Sequence, residues 1–388
     1  MSPASRRYLA RVALALSTSL GAVAIAGATA ALSAGVAGAS NDAWSIQSTP
    51  NPSGVTAPGL NSVSCVGSTC IAVGSGDGST KALPLSEYWN GSTWSVETAT
   101  DPGLEGSLLG VSCASSTWCL GVGWDESPTT YDQDALADVW TGSSWTNLGQ
   151  QPPGTEVYVS GASCADYNYL VYHMIVTLPG CTVVGSQINS GAPLVETYKE
   201  DAWQTVTVPL PSGALGGSLD GVSCTAITTC VAGGLYETSS GGTQPLVEVE
   251  TAGVWQALTG PAESNPSQIY SVSCTSSSDC VAVGMADGLP LVEQWNGSTL
   301  TSIAVPSSFG TGWLYSVSCY TSYVWGCQAV GTTFNQPVSL AIGTSGVTAE
   351  GTPGSDELNG VSCVQSTGCE AVGYNGTGTM ADDLLPVT

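Results

Sequence analysis

Fourteen cysteines are the residues of this sequence whose type and spacing most clearly indicate chemistry. They fall into seven close pairs: Cys65/Cys70, Cys113/Cys119, Cys164/Cys181, Cys224/Cys230, Cys274/Cys280, Cys319/Cys327 and Cys363/Cys369. An even cysteine count at a repeating spacing predicts disulfide bonds in an exported protein, here one bond within each pair. Zinc binding is disfavoured, because the chain has a single histidine and no paired Cys-x-x-Cys motifs.

The charge balance of the chain argues against one class of partner, nucleic acid, and predicts tolerance of acid. The 388 residues include 30 Asp and Glu but only five Lys and Arg, and three of those five (Arg6, Arg7 and Arg11) precede residue 12. Without that N-terminal segment the formal charge is 2 − 30 = −28. Nucleic acid is therefore not an expected partner, because nothing would replace the counterions of its phosphates. A chain with so few bases gains little positive charge in acid, so we expect an acid-tolerant protein.

The N-terminus has the features of a targeting segment. Residues 1–39 begin with basic residues, continue with an apolar Ala, Leu, Val and Gly stretch, and end with Ala37-Gly38-Ala39, a pattern that signal peptidase accepts. The stretch is long enough for a membrane anchor, but its weak hydrophobicity and the cleavage pattern favour a signal peptide. We expect residues 40–388 to form the mature protein, secreted or at the cell surface, with no membrane span.

The text around each cysteine pair recurs along the mature chain. Ser-Val-Ser-Cys at 62–65 and Cys-Ile-Ala-Val-Gly at 70–74 return as Ser-Val-Ser-Cys at 271–274 and Cys-Val-Ala-Val-Gly at 280–284. Further on in each of these repeats, Asn-Gly turns join two more predicted strands, as at 84–94 and 290–300. Four short strands repeated seven times predict an all-β fold, a seven-bladed β-propeller. The N-terminal strand, Ala43-Trp44-Ser45-Ile46, would complete the last blade and close the ring.

This repeat resembles that of a group of exported bacterial β-propeller-like proteins with tandem Val-Ser-Cys, Cys-x-Ala-Val-Gly and Trp-Asn-Gly-x-x-Trp motifs. The resemblance covers 43–388 and implies a fold and export, but it brings no catalytic residues. The third repeat departs from the pattern through the wide Cys164/Cys181 spacing. The sixth departs through Ser339, which we align with a glutamate of the other repeats.

Residues that recur in most repeats are expected to serve the blade itself. One acidic position of the third strand recurs in five repeats, as Glu87, Asp138, Glu196, Glu248 and Glu293. The tryptophans of the fourth strand are expected to pack between blades: Trp44, Trp94, Trp145, Trp203 and Trp255.

Residues that differ between repeats are better candidates for a site. The position two before each Val-Ser-Cys is expected at the mouth of the central channel, and it holds Asn61, Leu109, Ser160, Asp220, Tyr270, Tyr315 and Asn359. Trp124, Tyr236 and Trp313 belong to loops predicted on the same face. Aromatic rings beside carboxylates and amides suit sugars, because the apolar face of the sugar stacks while its hydroxyls take hydrogen bonds. We therefore predict glycan binding at Asn61, Trp124, Asp220, Tyr236, Tyr270, Trp313, Tyr315 and Asn359. Solvated loops with incidental aromatics are the alternative.

An enzymatic alternative would have to use carboxylates. Glycoside hydrolysis needs two, and Asp220 with Asp125 or Asp287 is the candidate combination. The single histidine, His173, lies in the insertion 165–180 of the third repeat, which we expect on the opposite face and in contact with a partner. Asp77-Gly78-Ser79-Thr80 is a weak candidate for structural calcium; otherwise no metal or cofactor is expected. The expected partner is a glycan or a surface protein, and the expected state is a monomer.

Overall fold

Seven four-stranded antiparallel sheets form the blades of a propeller in the computed structural model, which confirms the predicted fold. The structure describes residues 44–100, 103–148, 156–171, 174–258, 260–261, 263–320, 326–333, 336–352 and 357–384. The predicted signal segment and His173 lie outside these described residues.

The first three blades take their strands in sequence order from the inner to the outer edge. Blade 1 contains β2 (Thr56–Val66), β3 (Thr69–Asp77), β4 (Ala82–Trp89) and β5 (Trp94–Glu97). Blade 2 contains β6 (Gly106–Ser115), β7 (Trp118–Glu126), β8 (Gln133–Trp140) and β9 (Trp145–Asn147). Blade 3 contains β10 (Val157–Val171), β11 (Met174–Gln187), β12 (Ala192–Lys199) and β13 (Ala202–Thr205).

The next three blades follow the same order. Blade 4 contains β14 (Gly216–Ala226), β15 (Thr229–Glu237), β16 (Thr243–Thr251) and β17 (Val254–Ala257). Blade 5 contains β18 (Ser267–Ser276), β19 (Asp279–Ala286), β20 (Leu289–Trp295) and β21 (Leu300–Ser302). Blade 6 contains β22 (Gly312–Tyr320), β23 (Gly326–Thr333), β24 (Gln336–Gly343) and β25 (Gly346–Glu350), and a 3-10 turn at Ser307–Phe309 precedes it.

The last blade is built from both ends of the described chain. It contains β26 (Glu357–Val364), β27 (Gly368–Tyr374), β28 (Thr379–Leu384) and, at its outer edge, the N-terminal strand β1 (Ser45–Gln47). β1 pairs antiparallel with β28, with Ser45 opposite Asp383 and Gln47 opposite Ala381. The predicted ring closure is thus confirmed.

Each cysteine pair forms a disulfide across the first two strands of its own blade. In every blade the two cysteines are directly opposed in the antiparallel ladder, with Cα atoms 3.9–4.0 Å apart. The pairs are Cys65–Cys70, Cys113–Cys119, Cys164–Cys181, Cys224–Cys230, Cys274–Cys280, Cys319–Cys327 and Cys363–Cys369, which confirms the predicted pairing. In blade 3 the ladder continues beyond its disulfide to Val171 opposite Met174, so the insertion lengthens the hairpin at that end.

The two cysteines of a disulfide differ in their surroundings. The first is half-buried on the inner strand. The second lies on a strand that is flanked by two others of its blade, and its side chain belongs to the hydrophobic core. These core cysteines are at most 6% exposed: Cys70, Cys119, Cys181, Cys230, Cys280, Cys327 and Cys369. Their burial places each disulfide against the hydrophobic core of its blade, where it stabilises the fold.

The serine before the first cysteine of each pair joins neighbouring blades. Ser64 Oγ accepts a hydrogen bond from the backbone N–H of Cys113 in blade 2, and Ser362 Oγ of blade 7 accepts one from Cys65 in blade 1. The same bond recurs between all seven consecutive blades, at donor–acceptor distances of 2.9–3.1 Å. The seven bonds form a closed circuit around the ring, which explains why Val-Ser-Cys recurs.

The glycine of Cys-x-Ala-Val-Gly accommodates a β-bulge in the strand beside it. In blade 2 the register of β6 against β7 shifts between Leu108 and Gly110, and a β-carbon added to Gly123 would overlap the backbone oxygen of Ser107. Equivalent bulges occur in the first strand of every blade. An equivalent overlap would arise at the facing glycine of each. The motif therefore requires glycine because two backbone segments approach too closely for any side chain.

We predict that Gly123→Ala lowers the free energy of unfolding by roughly 1–3 kcal/mol, the usual cost of overpacking. The matched control is Gly351→Ala, because a β-carbon there meets no atom within 4 Å and the backbone is not in the left-handed region. Chemical denaturation under non-reducing conditions measures both variants. Equal stability of the two variants would contradict the bulge explanation.

Buried carboxyl groups occupy one position of the third strand in six blades. The structure adds Asp382 of blade 7 to the five acids found from the repeats, and all six side chains are at most 1% exposed. The alignment of Ser339 with this position is wrong. Leu340 occupies it, because Ala329 pairs with Leu340 as Ala72 pairs with Glu87. Ser339 instead accepts a hydrogen bond at 2.9 Å from Nε1 of Trp44, the residue that precedes β1, and so ties the start of the last blade's outer strand to blade 6.

Burial raises the pKa of these carboxyl groups. The pKa rises to about 7 for Glu87, Glu196 and Glu293, to about 8 for Glu248 and to about 6 for Asp382, and it is also raised for Asp138. Hydrogen bonds oppose the shift only in part, as from Thr205 to Glu196 at 2.9 Å. Burial followed by the charges of Asp383 and Asp382 raises the pKa of Glu370 to about 9. At a given pH, these groups are therefore protonated more often in the folded protein than in the unfolded chain.

These shifts predict that the protein is more stable in acid than in weak base. The folded-state pKa values exceed the ordinary values of 4.5 for Glu and 3.8 for Asp. The contribution of these carboxyl groups to the stability of the folded protein is therefore complete below about pH 4. It is lost as pH rises through about 6–8. We expect the Tm at pH 4 to exceed that at pH 8 by about 5 °C or more.

Glu248→Gln should narrow the difference in Tm between pH 4 and pH 8, because an amide cannot ionise. Glu237→Gln, on an exposed residue of the same blade, should leave the difference unchanged. Differential scanning calorimetry at low salt measures both. A Tm that is higher at pH 8 than at pH 4 would refute the role of the buried carboxyl groups.

Candidate binding site

The bulges of the first strands place one side chain per blade in the central channel. The bulged residue of each blade is the one predicted at the channel mouth: Asn61, Leu109, Ser160, Asp220, Tyr270, Tyr315 and Asn359. All seven line a single cavity of about 140 Å³. A bulge turns its extra residue out of the ladder, and this redirection is a common device beside functional sites.

Three of the seven side chains donate a hydrogen bond to the backbone of another blade. Asn61 Nδ2 donates to the backbone oxygen of Leu108 in blade 2 at 2.9 Å, and Asn359 Nδ2 donates in the same way to Leu60 in blade 1 at 3.0 Å. Ser160 Oγ donates to the backbone oxygen of Leu219 in blade 4 at 3.3 Å. These donors hold the ring together, so their capacity to bind a ligand is reduced.

The remaining polar residues form a connected group on blades 4 to 7. Gln268 Nε2 donates to Asp220 Oδ2 at 2.7 Å, and the rings of Tyr270 and Tyr315 meet edge to face with centroids 5.6 Å apart. The hydroxyl of Tyr315 is hydrogen-bonded to the carboxylate of Glu357. Glu357 is the member that sequence reasoning missed, since it precedes Val-Ser-Cys by four residues and only the tertiary structure brings it to Tyr315.

Burial sets the protonation of this group. It raises the pKa of Asp220 to about 6, with the Gln268 hydrogen bond acting in the opposite direction. Burial and the nearby Asp220 carboxylate raise the pKa of Tyr270 to about 12, and burial with the charge of Glu357 raises the pKa of Tyr315 further. Both tyrosines are therefore neutral hydroxyl donors near neutral pH, and Asp220 is the group that titrates there.

The two other carboxylates proposed for hydrolysis lie elsewhere. Asp125 is near the end of β7, opposite Gly106 and Asp134, and Asp287 is exposed in the turn between β19 and β20, with φ of 49°. Neither lines the channel cavity, in which Asp220 is the one carboxylate among the described lining residues. The cavity thus holds one acid rather than the pair that glycosidases use.

The three aromatic residues predicted on the rim lie on strands rather than in the cavity. Trp124 is opposite Ser107 and Ala135, Tyr236 packs against the hydrophobic core between blades 3 and 4, and Trp313 is opposite Thr332. All three are half-buried and none lines the channel cavity. Their part in ligand binding stays a prediction.

For the loop Asp77-Gly78-Ser79-Thr80, calcium binding stays a prediction. Its Gly78 N–H bonds to the Lys81 oxygen at 2.8 Å to make a tight turn. Within the described ranges, no group of three or more His, Cys, Asp or Glu side chains is arranged to hold a metal ion. In the same part of the chain, no helix has the length and apolar character needed to cross a membrane.

Comparisons with known proteins support the fold and leave the function open. No protein-family model and no curated protein matches this chain. Among solved structures, YCF48 bound to D1 peptide is similar with a TM-score of 0.53 and 12% identity, over 89% of this chain and 96% of that one. The β-propeller domain of the Trilobed protease from Pyrococcus furiosus has a TM-score of 0.50 and 6% identity, over 84% and 97%. The six-bladed, fucose-recognising lectin of Aleuria aurantia has a TM-score of 0.48 and 11% identity, over 77% and 97%.

Proposed function

We propose that this protein is a non-enzymatic binding propeller that recognises a glycan through the central channel. The observation that carries the proposal is the convergence of seven bulge residues on one cavity, where Tyr270 lies near the Asp220 carboxylate and contacts the ring of Tyr315. Tyrosine rings offer an apolar surface to the face of a sugar, and a carboxylate accepts hydrogen bonds from adjacent hydroxyls.

The size of the cavity limits what can enter. Its volume of about 140 Å³ is well below the 300–1,000 Å³ of typical pockets for drug-sized ligands. We therefore expect a single sugar unit at the end of a chain to enter, while the rest of the glycan stays on the channel-mouth face. There it would meet the rim residues Trp124, Tyr236 and Trp313, which remain candidates for the outer contacts.

The proposed setting is outside the cell. Seven disulfides fit an oxidising environment, where reduction by cellular thiols is absent. Glycans and surface proteins are the abundant ligands of that environment, and the predicted signal segment would deliver the chain there.

Glycoside hydrolysis is the second candidate, and the raised pKa of Asp220 is the observation that favours it. A carboxyl group with a pKa of about 6 can act as a general acid near neutral pH. Hydrolysis also needs a second carboxylate as base or nucleophile. Glu357 reaches the cavity only through the Tyr315 hydroxyl. The geometry therefore supports binding better than turnover.

A glycan array tests the proposal directly. We expect wild-type protein to bind one class of terminal sugar, and Asp220→Asn to weaken binding about tenfold or more, since bonds to a charged acceptor contribute about 1.5–3 kcal/mol. Glu97→Gln removes the same charge from blade 1, away from the cavity, and should leave binding unchanged. Absence of binding to any glycan would refute the proposal.

The same samples decide between binding and catalysis. A panel of polysaccharides incubated with the protein should release no reducing ends. Release that disappears in Asp220→Asn and persists in Glu97→Gln would establish the hydrolase instead. Circular dichroism melts of each variant would show whether a loss comes from unfolding.

A further inference from the structure

A second and larger cavity lies between blades 2 and 3, at the disulfide end of the blades. Its volume is about 710 Å³, within the usual range for ligand pockets. Trp118 next to the disulfide hairpin of blade 2, Tyr167 on the extended hairpin of blade 3 and Tyr198 on β12 contribute aromatic surface. Glu200 and Asp201 contribute exposed carboxylates. We call this cavity the lateral cleft.

The acidic turn beside the lateral cleft has an unfavourable backbone. Glu200 and Asp201 form the two-residue turn between β12 and β13, with φ values of 55° and 56°. A turn with two positive φ values is normally built from Asn, Asp and Gly, so a glutamate here is costly. Blade 4 has glycine at the second position of its equivalent two-residue turn, Ala252-Gly253, with φ values of 52° and 82°. Two adjacent acids are therefore kept here despite backbone strain.

Two tyrosines of the lateral cleft hold this turn in place. Tyr167 Oη accepts a hydrogen bond from the backbone N–H of Glu200 at 3.1 Å, and Tyr198 Oη donates to Asp201 Oδ1 at 3.1 Å. Tyr167 belongs to the part of β10 beyond Cys164, so it is present only because of the insertion. The insertion thus supplies both an aromatic ring and the support that positions the carboxylates.

A lysine of the same chain shows which ligand chemistry this arrangement accepts. Lys199 Nζ lies 5.0 Å from the centroid of the Tyr167 ring and 3.7 Å from Glu200 Oε1. An ammonium group over an aromatic face and beside a carboxylate is a favourable cation–π geometry. The remainder of the lateral cleft has the same two kinds of group, Trp118 and Tyr198 with Asp201.

We propose that the lateral cleft binds a lysine- or arginine-rich extended segment of a partner protein. The basic side chains would lie against the aromatic rings, and their charges would face Glu200 and Asp201. Charge complementarity favours this occupant: after residue 11 the sequence contains 30 Asp and Glu, two lysines and no arginine. The long-range field therefore attracts cationic segments, and the aromatic walls give them a defined place.

Fluorescence anisotropy with a labelled hexalysine peptide in 150 mM salt tests the proposal. Trp118→Ala removes a wall without changing charge and should weaken binding about tenfold, as should Glu200→Gln combined with Asp201→Asn. The matched controls should bind within about twofold of wild type. Tyr131→Ala removes an exposed ring elsewhere, and Glu97→Gln with Asp132→Asn removes two charges elsewhere.

The two lysines provide the sharpest comparison. Lys199→Met vacates the ring of Tyr167 and should strengthen hexalysine binding about threefold or more. Lys81→Met changes the net charge equally but lies in blade 1, so it should have no such effect. Equal effects of the two lysine variants, or equal losses in the charge-matched double variants, would overturn the proposal in favour of nonspecific attraction. Binding of a neutral oligosaccharide that Trp118→Ala abolishes would overturn it in favour of a glycan site.

Discussion

The hydrogen bond from each cysteine N–H to the serine of the preceding blade is the interaction on which the rest of this structure depends. It occurs at every blade junction and therefore fixes the inner strands relative to one another around the whole ring. The disulfide at the same cysteine fixes the inner hairpin within the blade. The hydrogen bond and the disulfide together constrain each inner strand on both sides. The bulge in the same strand therefore places its residue in the channel in every blade.

Because the backbone alone determines where the bulged residue lies, its identity is free to differ. Some blades use it for cohesion, as with the amides of Asn61 and Asn359. Blades 4 to 6 place Asp220, Tyr270 and Tyr315 there; Asp220 also bonds to Gln268 of blade 5, and these three residues make the channel asymmetric. A repeated scaffold with one variable position per blade is a physical means of building a distinct site within a symmetrical fold.

Buried carboxyl groups give this propeller an unusual dependence on protons. Most proteins pair buried acids with arginine or lysine, whereas this chain has almost no bases to offer. Protonation is the remaining way to reduce the cost of burial, and the raised pKa values reflect it. The same scarcity of bases makes the exterior attractive to cations. The raised pKa values in the interior and the attraction of the lateral cleft for cations thus both follow from the scarcity of basic residues.

The sequence by itself determined the blades, their number, the disulfide pairing and the closure of the ring. These features depend on local spacing: Val-Ser-Cys, Cys-x-Ala-Val-Gly and Asn-Gly turns recur with nearly constant separations, and Trp44 begins a fourth strand that the last repeat lacks. The position of Asp220, Tyr270 and Tyr315 in the channel followed from the same period. A one-residue misalignment at Ser339 shows the limit of this reasoning, since the neighbouring Leu340 fills the acidic position.

Only the tertiary structure decided which side chains outside the repeated bulge position reach a cavity. Asp125 and Asp287 have the right chemistry but lie outside the cavity of Asp220, whereas Glu357 reaches it through Tyr315. The lateral cleft joins Trp118 of one blade to Tyr167 and Tyr198 of the next. Such contacts depend on the angle and spacing between blades, and on how far a hairpin extends past its disulfide. The repeat period does not encode these distances, because each contact joins residues from different repeats.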